Sequence, residues 1–402
     1  MAGLSLSVLV VVGLVAWAVL DRQPYVAQPS RHEAARAQPA AAADALHRLE
    51  RAVDRGHPAA ARALAPTGDQ AAARLLGGVV ANARRLHVED FTLRYVDEEG
   101  GVAPGGGWSA SVAATWRFAG FDRTPAHAET TVRFVAHGPE VTIAGVGGGD
   151  HRTPLWLSGP VQVRRSPATL VLVAGPAGEA DAYARRARTA LTVVRRVLPR
   201  WRSGLVVEVP ASAQALDRTL DADPGQYANI AAVTATVDGS TRTDAPVHVF
   251  VNPAVFGELR PQGAQVVMSH EAVHVATGAA TSAMPLWLVE GFADYVALRD
   301  VDLPLRTTAG GIIRQVRRHG PPEHLPGAAE FDTTTTHLGA TYESAWLACR
   351  LVARTAGQAA LVRLYDDVRA GDPLGRALRA DTGLTTADLT HRWRTLLSDL
   401  AS

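Results

Sequence analysis

Residues 270–274 combine the side chains that bind a divalent metal in many hydrolytic enzymes. They read His-Glu-Ala-Val-His, so two imidazoles lie four positions apart with a carboxylate beside the first. On a helix, residues four apart share one face, and His270 and His274 can therefore reach one ion. Glu271 points to the side, where it could hold a water bound to that ion. This spacing is typical of zinc hydrolases.

The flanking residues predict that the motif lies on a buried helix. Pro261 stands at a favourable first helical position, and Gly278 is expected to cap the other end. Valines flank the motif and make this helix apolar on almost every side; they are Val266, Val267, Val273 and Val275. Because buried polar groups need partners, two histidines and a glutamate on such a helix indicate a metal ion that satisfies them.

A second helix carries two further acids. Glu290 follows His274 by sixteen positions, in the run Trp-Leu-Val-Glu-Gly-Phe-Ala-Asp-Tyr, and Pro285 can begin this helix. Glu290 and Asp294 are four apart and share a face. One carboxylate can be the third metal ligand, while the other accepts the free N–H of a ligand histidine and fixes its tautomer. Three protein ligands leave a fourth position for water, as in catalytic zinc sites.

These two segments together resemble the gluzincin branch of the zinc metallopeptidases, of the thermolysin-like and aminopeptidase-like kind. The closest resemblance is to the compact bacterial relatives described as peptidase MA-like. It implies that His270, His274 and Glu290 are ligands of Zn2+, that Glu271 is the general base, and that Asp294 supports a ligand histidine. The gap between His274 and Glu290 is shorter than in the best-known aminopeptidases, so their recognition of a substrate N-terminus is not implied.

The resemblance also implies a reaction, the hydrolysis of peptide bonds in a peptide or protein substrate. Zinc lowers the pKa of bound water to about 7, and Glu271 takes its proton during attack on the carbonyl carbon. A further donor usually stabilises the oxyanion. Tyr342, in Thr-Tyr-Glu-Ser-Ala-Trp-Leu-Ala, is the candidate donor, and His337 is the second candidate. An ordinary packing role for Tyr342 stays open.

Two other functions are compatible with the same residues. The main alternative is a catalytically inactive peptidase-like scaffold that binds peptides or a partner in the cell envelope. The intact motif argues against it, because an inactive relative would be expected to lose Glu271 or a metal ligand. A third, weaker interpretation is a zinc hydrolase that acts on a non-peptide amide.

The composition of the whole chain limits the number of domains and the kinds of partner that we expect. Its 402 residues are enough for two domains with their own cores. The positive charge comes from scattered arginines, the net charge is +1, and no nucleic-acid partner is expected. Cys349 is the single cysteine, and its apolar surroundings predict a small core residue. The remaining histidines show no ligand spacing and are predicted to be surface or core residues: His32, His47, His57, His87, His127, His137, His151, His248, His319, His324 and His391.

The N-terminal residues predict a contact with the membrane. Residues 1–20 carry no charge and are rich in Leu, Val and Ala, which favours a single membrane anchor with extracytoplasmic domains. A cleaved signal peptide, and hence a secreted protein, is the rival interpretation because Ala16-Trp17-Ala18 has the small-x-small pattern. The arginines that follow argue against export of the body. Residues 21–42 are predicted to be a flexible linker.

The rest of the chain predicts an α+β fold with two domains. Residues 43–155 show two amphipathic helices followed by alternating strands, a small helix-plus-antiparallel-sheet domain whose order is similar to NTF2-like domains. A linker is expected around 153–167, followed by a zincin-like metallopeptidase domain at 166–402. There, strands are predicted near 170–173, 205–209, 230–237 and 247–251, and helices near 178–198, 308–318, 340–354, 358–368 and 385–399.

The resemblance implies how this second domain is arranged. It consists of a sheet lobe, the helix that carries the His-Glu-x-x-His motif (the HExxH helix) and a helical C-terminal lobe on the far side of a cleft. An edge strand just before the HExxH helix lines the cleft and pairs with the substrate backbone. Residues 247–251 are the segment expected to form that edge strand.

Overall fold

The chain has a mixed α/β structure with one antiparallel and one mixed sheet. The computed structural model describes residues 36–332 and 337–402. The predicted membrane segment, 1–20, lies outside the described residues, as does most of the predicted linker. The end of that linker is helical instead, because a helix begins at Pro39 and buries Ala42. Within the described ranges, no helix combines the length and the apolar character needed to span a bilayer.

The first part of the described chain is a group of helices followed by a four-stranded antiparallel sheet. Its strands pair in chain order. The predicted two-residue alternation is confirmed in the second strand, where Trp108, Val112, Trp116 and Phe118 are buried. The elements are α1 (Pro39–Asp54), α2 (Pro58–Arg62), α3 (Gln70–Leu86), β1 (Val88–Glu99), β2 (Gly107–Phe118), β3 (Ala126–His137) and β4 (Glu140–Val146).

A five-stranded mixed sheet follows, in the order β5-β6-β7-β9-β8. Strands β6, β7 and β9 are parallel, and β5 and β8 run antiparallel to their neighbours. The predicted strands and the long helix between the first two of them are confirmed. The elements are β5 (Gln162–Arg165), β6 (Thr169–Val173), α4 (Ala177–Val197), β7 (Leu205–Val209), α5 (Ala213–Leu220), β8 (Ala232–Thr236) and β9 (Val247–Val251).

The prediction that residues 247–251 form the edge strand is wrong. Strand β9 lies inside the sheet between β7 and β8, and β8 is the edge. The chain leaves β8, turns back and inserts β9 between two strands that precede it in sequence. The compositions agree with this order, since β9 reads Val-His-Val-Phe-Val and β8 reads Ala-Val-Thr-Ala-Thr. An interior strand with both faces covered is more apolar than an edge strand.

Both faces of the mixed sheet are covered. Val171, Val207 and Val249 belong to the core shared with the helices on one side. Leu172 and Phe250, on the opposite face, belong to the core of the antiparallel-sheet region. This two-sided burial explains why β6 and β7 are almost continuously apolar rather than alternating.

The segment predicted as a linker, 153–167, is part of the packed structure. Leu155–Leu157 form a buried 3-10 turn, and the Trp156 ring meets Phe91 edge-on at a centroid distance of 5.1 Å. The side-chain amide of Asn82 donates to the backbone oxygens of Trp156 and Gly159 at 2.9 and 2.7 Å. The apolar Leu-Trp-Leu run anchors this segment, and strand β5 lies within it, so the prediction of a linker is wrong.

The rest of the chain is helical, and the predicted helices are confirmed to within a few residues. Cys349 is buried, as expected. The helix at Leu374–Thr382 was not predicted. The elements are α6 (Pro253–Glu258), α7 (Pro261–Thr277), α8 (Leu286–Ala297), α9 (Leu305–Thr308), α10 (Gly310–His319), α11 (Leu338–Ala356), α12 (Gln358–Arg369), α13 (Leu374–Thr382) and α14 (Thr386–Ala401).

One ionic cluster is buried between the two sheets. His248 of β9 contacts Glu208 Oε1 through Nδ1 at 2.7 Å and Asp122 Oδ1 through Nε2 at 3.0 Å. Its ring also stacks on Phe118. Burial alone would lower the pKa of His248, but the two carboxylates outweigh burial and raise that pKa to about 9. His248, predicted to be either a surface or a core residue, is a core residue, and its contacts there are with charged groups.

This cluster predicts how stability depends on pH. The folded-state pKa of His248 lies above its unfolded value. Its contribution to the free energy of unfolding is therefore complete below about pH 6.5 and is lost as the pH rises through about 9. We expect the free energy of unfolding to fall by about 3 kcal/mol across that window. His248→Gln should remove this contribution to the pH dependence and destabilise the protein at neutral pH by about 3–5 kcal/mol. Denaturant unfolding between pH 6 and 9.5 measures both effects.

The matched control is His391→Gln, since His391 is exposed on α14. It should retain the wild-type stability and pH dependence. An unchanged pH dependence in His248→Gln would contradict the role of this cluster.

Candidate metal centre

Helix α7 brings the two histidines of the motif to one face. Its N-terminal Pro261 and its cap Gly278 are confirmed, and Gly278 adopts a left-handed conformation with φ of 66°. The Gly278 N–H donates to the carbonyl oxygens at the end of the helix. Met268 and Val273 pack into the core, while the side chains of His270 and His274 are only 12% and 10% exposed. The helix therefore holds both imidazoles in a largely dry site.

Helix α8 brings Glu290 and Asp294 to the same site. It packs against α11 at Gly291, where an added Cβ would lie 2.3 Å from the backbone oxygen of Ala345. Because no side chain fits there, the glycine next to Glu290 permits close contact of the two helices. Close packing of α8 on α11 thus fixes the position of both carboxylates.

Three candidate ligand atoms lie close together. His270 Nε2 and His274 Nε2 are 2.9 Å apart, and Glu290 Oε2 lies 3.1 Å from the first and 3.3 Å from the second. Tetrahedral zinc with bonds of about 2.0–2.1 Å separates its ligand atoms by about 3.3 Å. The donor set and its spacing therefore fit a zinc ion. Among the described residues, these three make up the group of histidine, cysteine or acidic side chains whose geometry could hold a metal.

Asp294 decides which nitrogen of His270 is free. Asp294 Oδ1 lies 2.8 Å from His270 Nδ1 and accepts its proton in a hydrogen bond, so the Nε2 lone pair faces the site. The two histidines differ here. His274 Nδ1 is buried and has no hydrogen-bond partner among the described residues. The tautomer of His270 is thus set by the protein, and that of His274 is not.

The surrounding charges favour a cation at this point. Burial alone would lower the pKa of His270, but Asp294 and Glu290 raise it well above the usual value. Burial alone would raise the pKa of Glu290, but the two histidines outweigh it and hold that pKa below its usual range. Positive charge between the imidazoles and Glu290 is therefore stabilised, whether a proton or a metal ion carries it.

Glu271 and Tyr342 lie near the three candidate ligands. Glu271 is 7% exposed, and its Oε2 accepts a hydrogen bond of 2.7 Å from the hydroxyl of Thr234 on β8. The Tyr342 ring on α11 lies 6.0 Å from the His270 ring and meets Phe331 edge-on at 5.3 Å. Burial and the nearby carboxylates raise the pKa of Tyr342, which keeps its hydroxyl protonated as a donor.

Two site residues differ from what the sequence indicated. His337 is exposed at the start of α11 and lines a separate depression of about 270 Å³ with residues of α10, among them Arg318 and His319. Among the described residues, this second candidate for the oxyanion donor has no hydrogen bond or ion pair to His270, His274 or Glu290. Thr234 was missed, because its hydroxyl reaches Glu271 from a strand 37 positions earlier and no local pattern marks it.

No known family model, curated protein or solved structure matches the chain.

The geometry predicts which side chains Zn2+ binding would depend on. Purified protein should hold about one zinc per chain, and His270→Ala should lose it. Asp294→Asn should keep the site but bind Zn2+ about 10–100-fold more weakly, because the orientation of His270 depends on that carboxylate. Competition with a chromogenic chelator measures the affinities.

Asp300→Asn is the matched control, since this exposed acid pairs with Arg196 just beyond α8. It should leave zinc affinity unchanged. Wild-type affinity in Asp294→Asn would show that the carboxylate does not orient a ligand.

Proposed function

We propose that this protein is a zinc metallopeptidase of the gluzincin type. Residues 166–402 would form its zincin-like domain, with a sheet lobe, the HExxH helix and a helical C-terminal lobe. The observation that carries the proposal is the convergence of His270 Nε2, His274 Nε2 and Glu290 Oε2, each within 3.3 Å of the other two. Each of these groups is a common zinc ligand, and three of them leave a coordination position for water.

Zn2+ bound by these ligands would act as a Lewis acid and lower the pKa of a water to about 7. The chain orients the histidine that would bind this ion. Asp294 holds the Nδ1 proton of His270, which directs the Nε2 lone pair to the metal. The low exposure of the ligand side chains, 10–15%, strengthens the electrostatic interactions of the site.

Glu271 is proposed as the general base. It neighbours a ligand histidine in sequence, and one of its oxygens is held by Thr234. The other oxygen, Oε1, can take the proton of the attacking water and pass it to the leaving amine. A carboxylate held in place next to the reacting water avoids the entropic cost of bringing a base from solution.

Tyr342 is proposed as the donor to the oxyanion. Its hydroxyl stays protonated because burial and three carboxylates raise its pKa. A hydrogen bond from that hydroxyl would strengthen as the substrate carbonyl gains negative charge, which stabilises the transition state more than the substrate.

Strand β8 supports a peptide as the substrate. It is the edge of the mixed sheet, packs against α7 and contains Thr234, which contacts Glu271. An extended peptide can add to a free sheet edge through backbone hydrogen bonds. In this proposal β8, rather than β9, aligns the scissile bond with the base.

A peptidase-like scaffold that binds peptides or an envelope partner without cleaving them is the alternative function, and hydrolysis of a non-peptide amide is the third. The proposal also includes an N-terminal membrane anchor at 1–20 with extracytoplasmic domains, or secretion if that segment is cleaved. Residues 43–155 would then be an NTF2-like domain whose role is spacing or binding.

The assignment of the base predicts that Glu271→Gln binds zinc normally but loses hydrolysis by about 10²–10⁴-fold. A fluorogenic peptide library with a chelator control, together with zinc analysis of each protein, measures both properties. Glu258→Gln, at an exposed position on α6, is the matched control and should cleave normally. Full hydrolysis by zinc-loaded Glu271→Gln would eliminate this residue as the base. Peptide capture without cleavage by wild-type protein would favour the scaffold alternative.

The assignment of the oxyanion donor predicts that Tyr342→Phe lowers kcat about 10²–10³-fold with little change in KM, because the lost hydrogen bond forms fully only in the transition state. Steady-state kinetics on a peptide from the library provide the measurement. Tyr295→Phe, on α8, is the matched control because its hydroxyl bonds to Gln358 instead. A normal kcat in Tyr342→Phe would leave the ring with a packing role only.

A further inference from the structure

We infer that Thr234 is a positioning residue that holds the general base in its reactive orientation. Its hydroxyl anchors one oxygen of Glu271 from the edge strand β8 and leaves the other oxygen directed to the site. This inference rests on the proposed peptidase function, in which Glu271 is the base.

The first observation is the geometry of the hydroxyl. Thr234 Oγ1 lies 2.7 Å from Glu271 Oε2 and 3.1 Å from the Glu271 backbone oxygen. A hydroxyl has one proton to donate, and the shorter distance to the charged oxygen assigns it to the carboxylate. The second contact keeps the hydroxyl next to the backbone of α7. The strand is therefore tied to both the side chain and the main chain of the same residue.

The second observation is the asymmetry of the Glu271 carboxylate. The residue is 7% exposed, and no ion pair to it occurs among the described residues. The hydrogen bond from Thr234 reaches only Glu271 Oε2. One oxygen is thus held by Thr234, and the other has no hydrogen-bond partner among the described residues. This is the arrangement that a base needs to receive a proton from water in the site.

The third observation is the stiffness of the anchor. Threonine is β-branched, so few χ1 rotamers are open to it within a strand. Strand β8 is itself held by five paired residues along β9. A neutral hydroxyl also orients the carboxylate without adding a positive charge beside the metal ligands. Strand β8, which is proposed to bind the substrate, therefore also holds the base rigidly.

The chain offers a matched set of variants for a kinetic test. Thr234→Val removes the hydroxyl but keeps the shape, and Thr234→Ser keeps the hydroxyl. Thr236→Val is the control, because Thr236 lies on the same strand and face but donates to the Ser240 backbone oxygen at 2.8 Å. We expect Thr234→Val to lower kcat 10- to 100-fold at unchanged KM and zinc affinity. Thr234→Ser should stay within about threefold of wild type, and Thr236→Val should match wild type.

A second measurement is independent of catalysis. Thr234→Val, Glu271→Ala and the double variant form a cycle in which the midpoint of denaturant unfolding is compared with wild type. If the hydroxyl binds the carboxylate, Thr234→Val lowers the midpoint in the wild-type background and has a smaller effect once Glu271 is alanine. Additive effects would contradict the hydrogen bond. Should Thr234→Val not fold, Thr234→Ala takes its place in both experiments.

The outcomes separate this inference from the proposed function. If wild type cleaves peptides, Glu271→Gln does not, and Thr234→Val cleaves as fast as wild type, the positioning role is overturned and the function stands. Equal losses in Thr234→Val and Thr234→Ser also overturn it, since the hydroxyl is then not the cause. A wild-type protein that binds Zn2+ but cleaves nothing overturns the function and the positioning role with it.

Discussion

Two imidazole nitrogens and a carboxylate oxygen face each other across about 3 Å in a largely buried site, and their mutual arrangement favours positive charge among them. In their neutral, Nδ1-protonated forms both histidines would direct lone pairs at Glu290, which is repulsive without a cation. The free energy that holds these groups together comes from the packing around them. Helix α8 contacts α11 at Gly291, and α7 is held between α8 and α4.

The mixed sheet provides the rigid support for this site. Its two faces belong to two different hydrophobic cores, so the sheet cannot shift without disturbing both. The buried ionic cluster of His248, Asp122 and Glu208 connects the sheet to the loop after β2. Strand β8 therefore meets α7 at a fixed position, and the contact between Thr234 and Glu271 depends on that position. The antiparallel-sheet region thus contributes to the geometry of the site although it supplies none of its ligands.

The elements of the site that the sequence predicted share one property, which is that their signals are local. The positions of His270 and His274 follow from the helical repeat, and the pairing of Glu290 with Asp294 follows from the same rule. The left-handed cap at Gly278 follows from the absence of a side chain. By contrast, His337 lies at the N-terminal end of α11 and lines a separate depression. Closeness to Tyr342 in sequence does not determine where its side chain lies in space.

By itself, the sequence determined which residues could serve as ligands, base and oxyanion donor, and on which helices they lie. Residue type and spacing of three or four positions are enough for that, since a helix places such residues together without any distant contact. Only the tertiary structure decided that β8 is the edge strand, that Thr234 supports Glu271, and that His248 is held by two buried carboxylates. These features depend on strand order and on contacts between residues 37 to 126 positions apart, for which the chain carries no local signal.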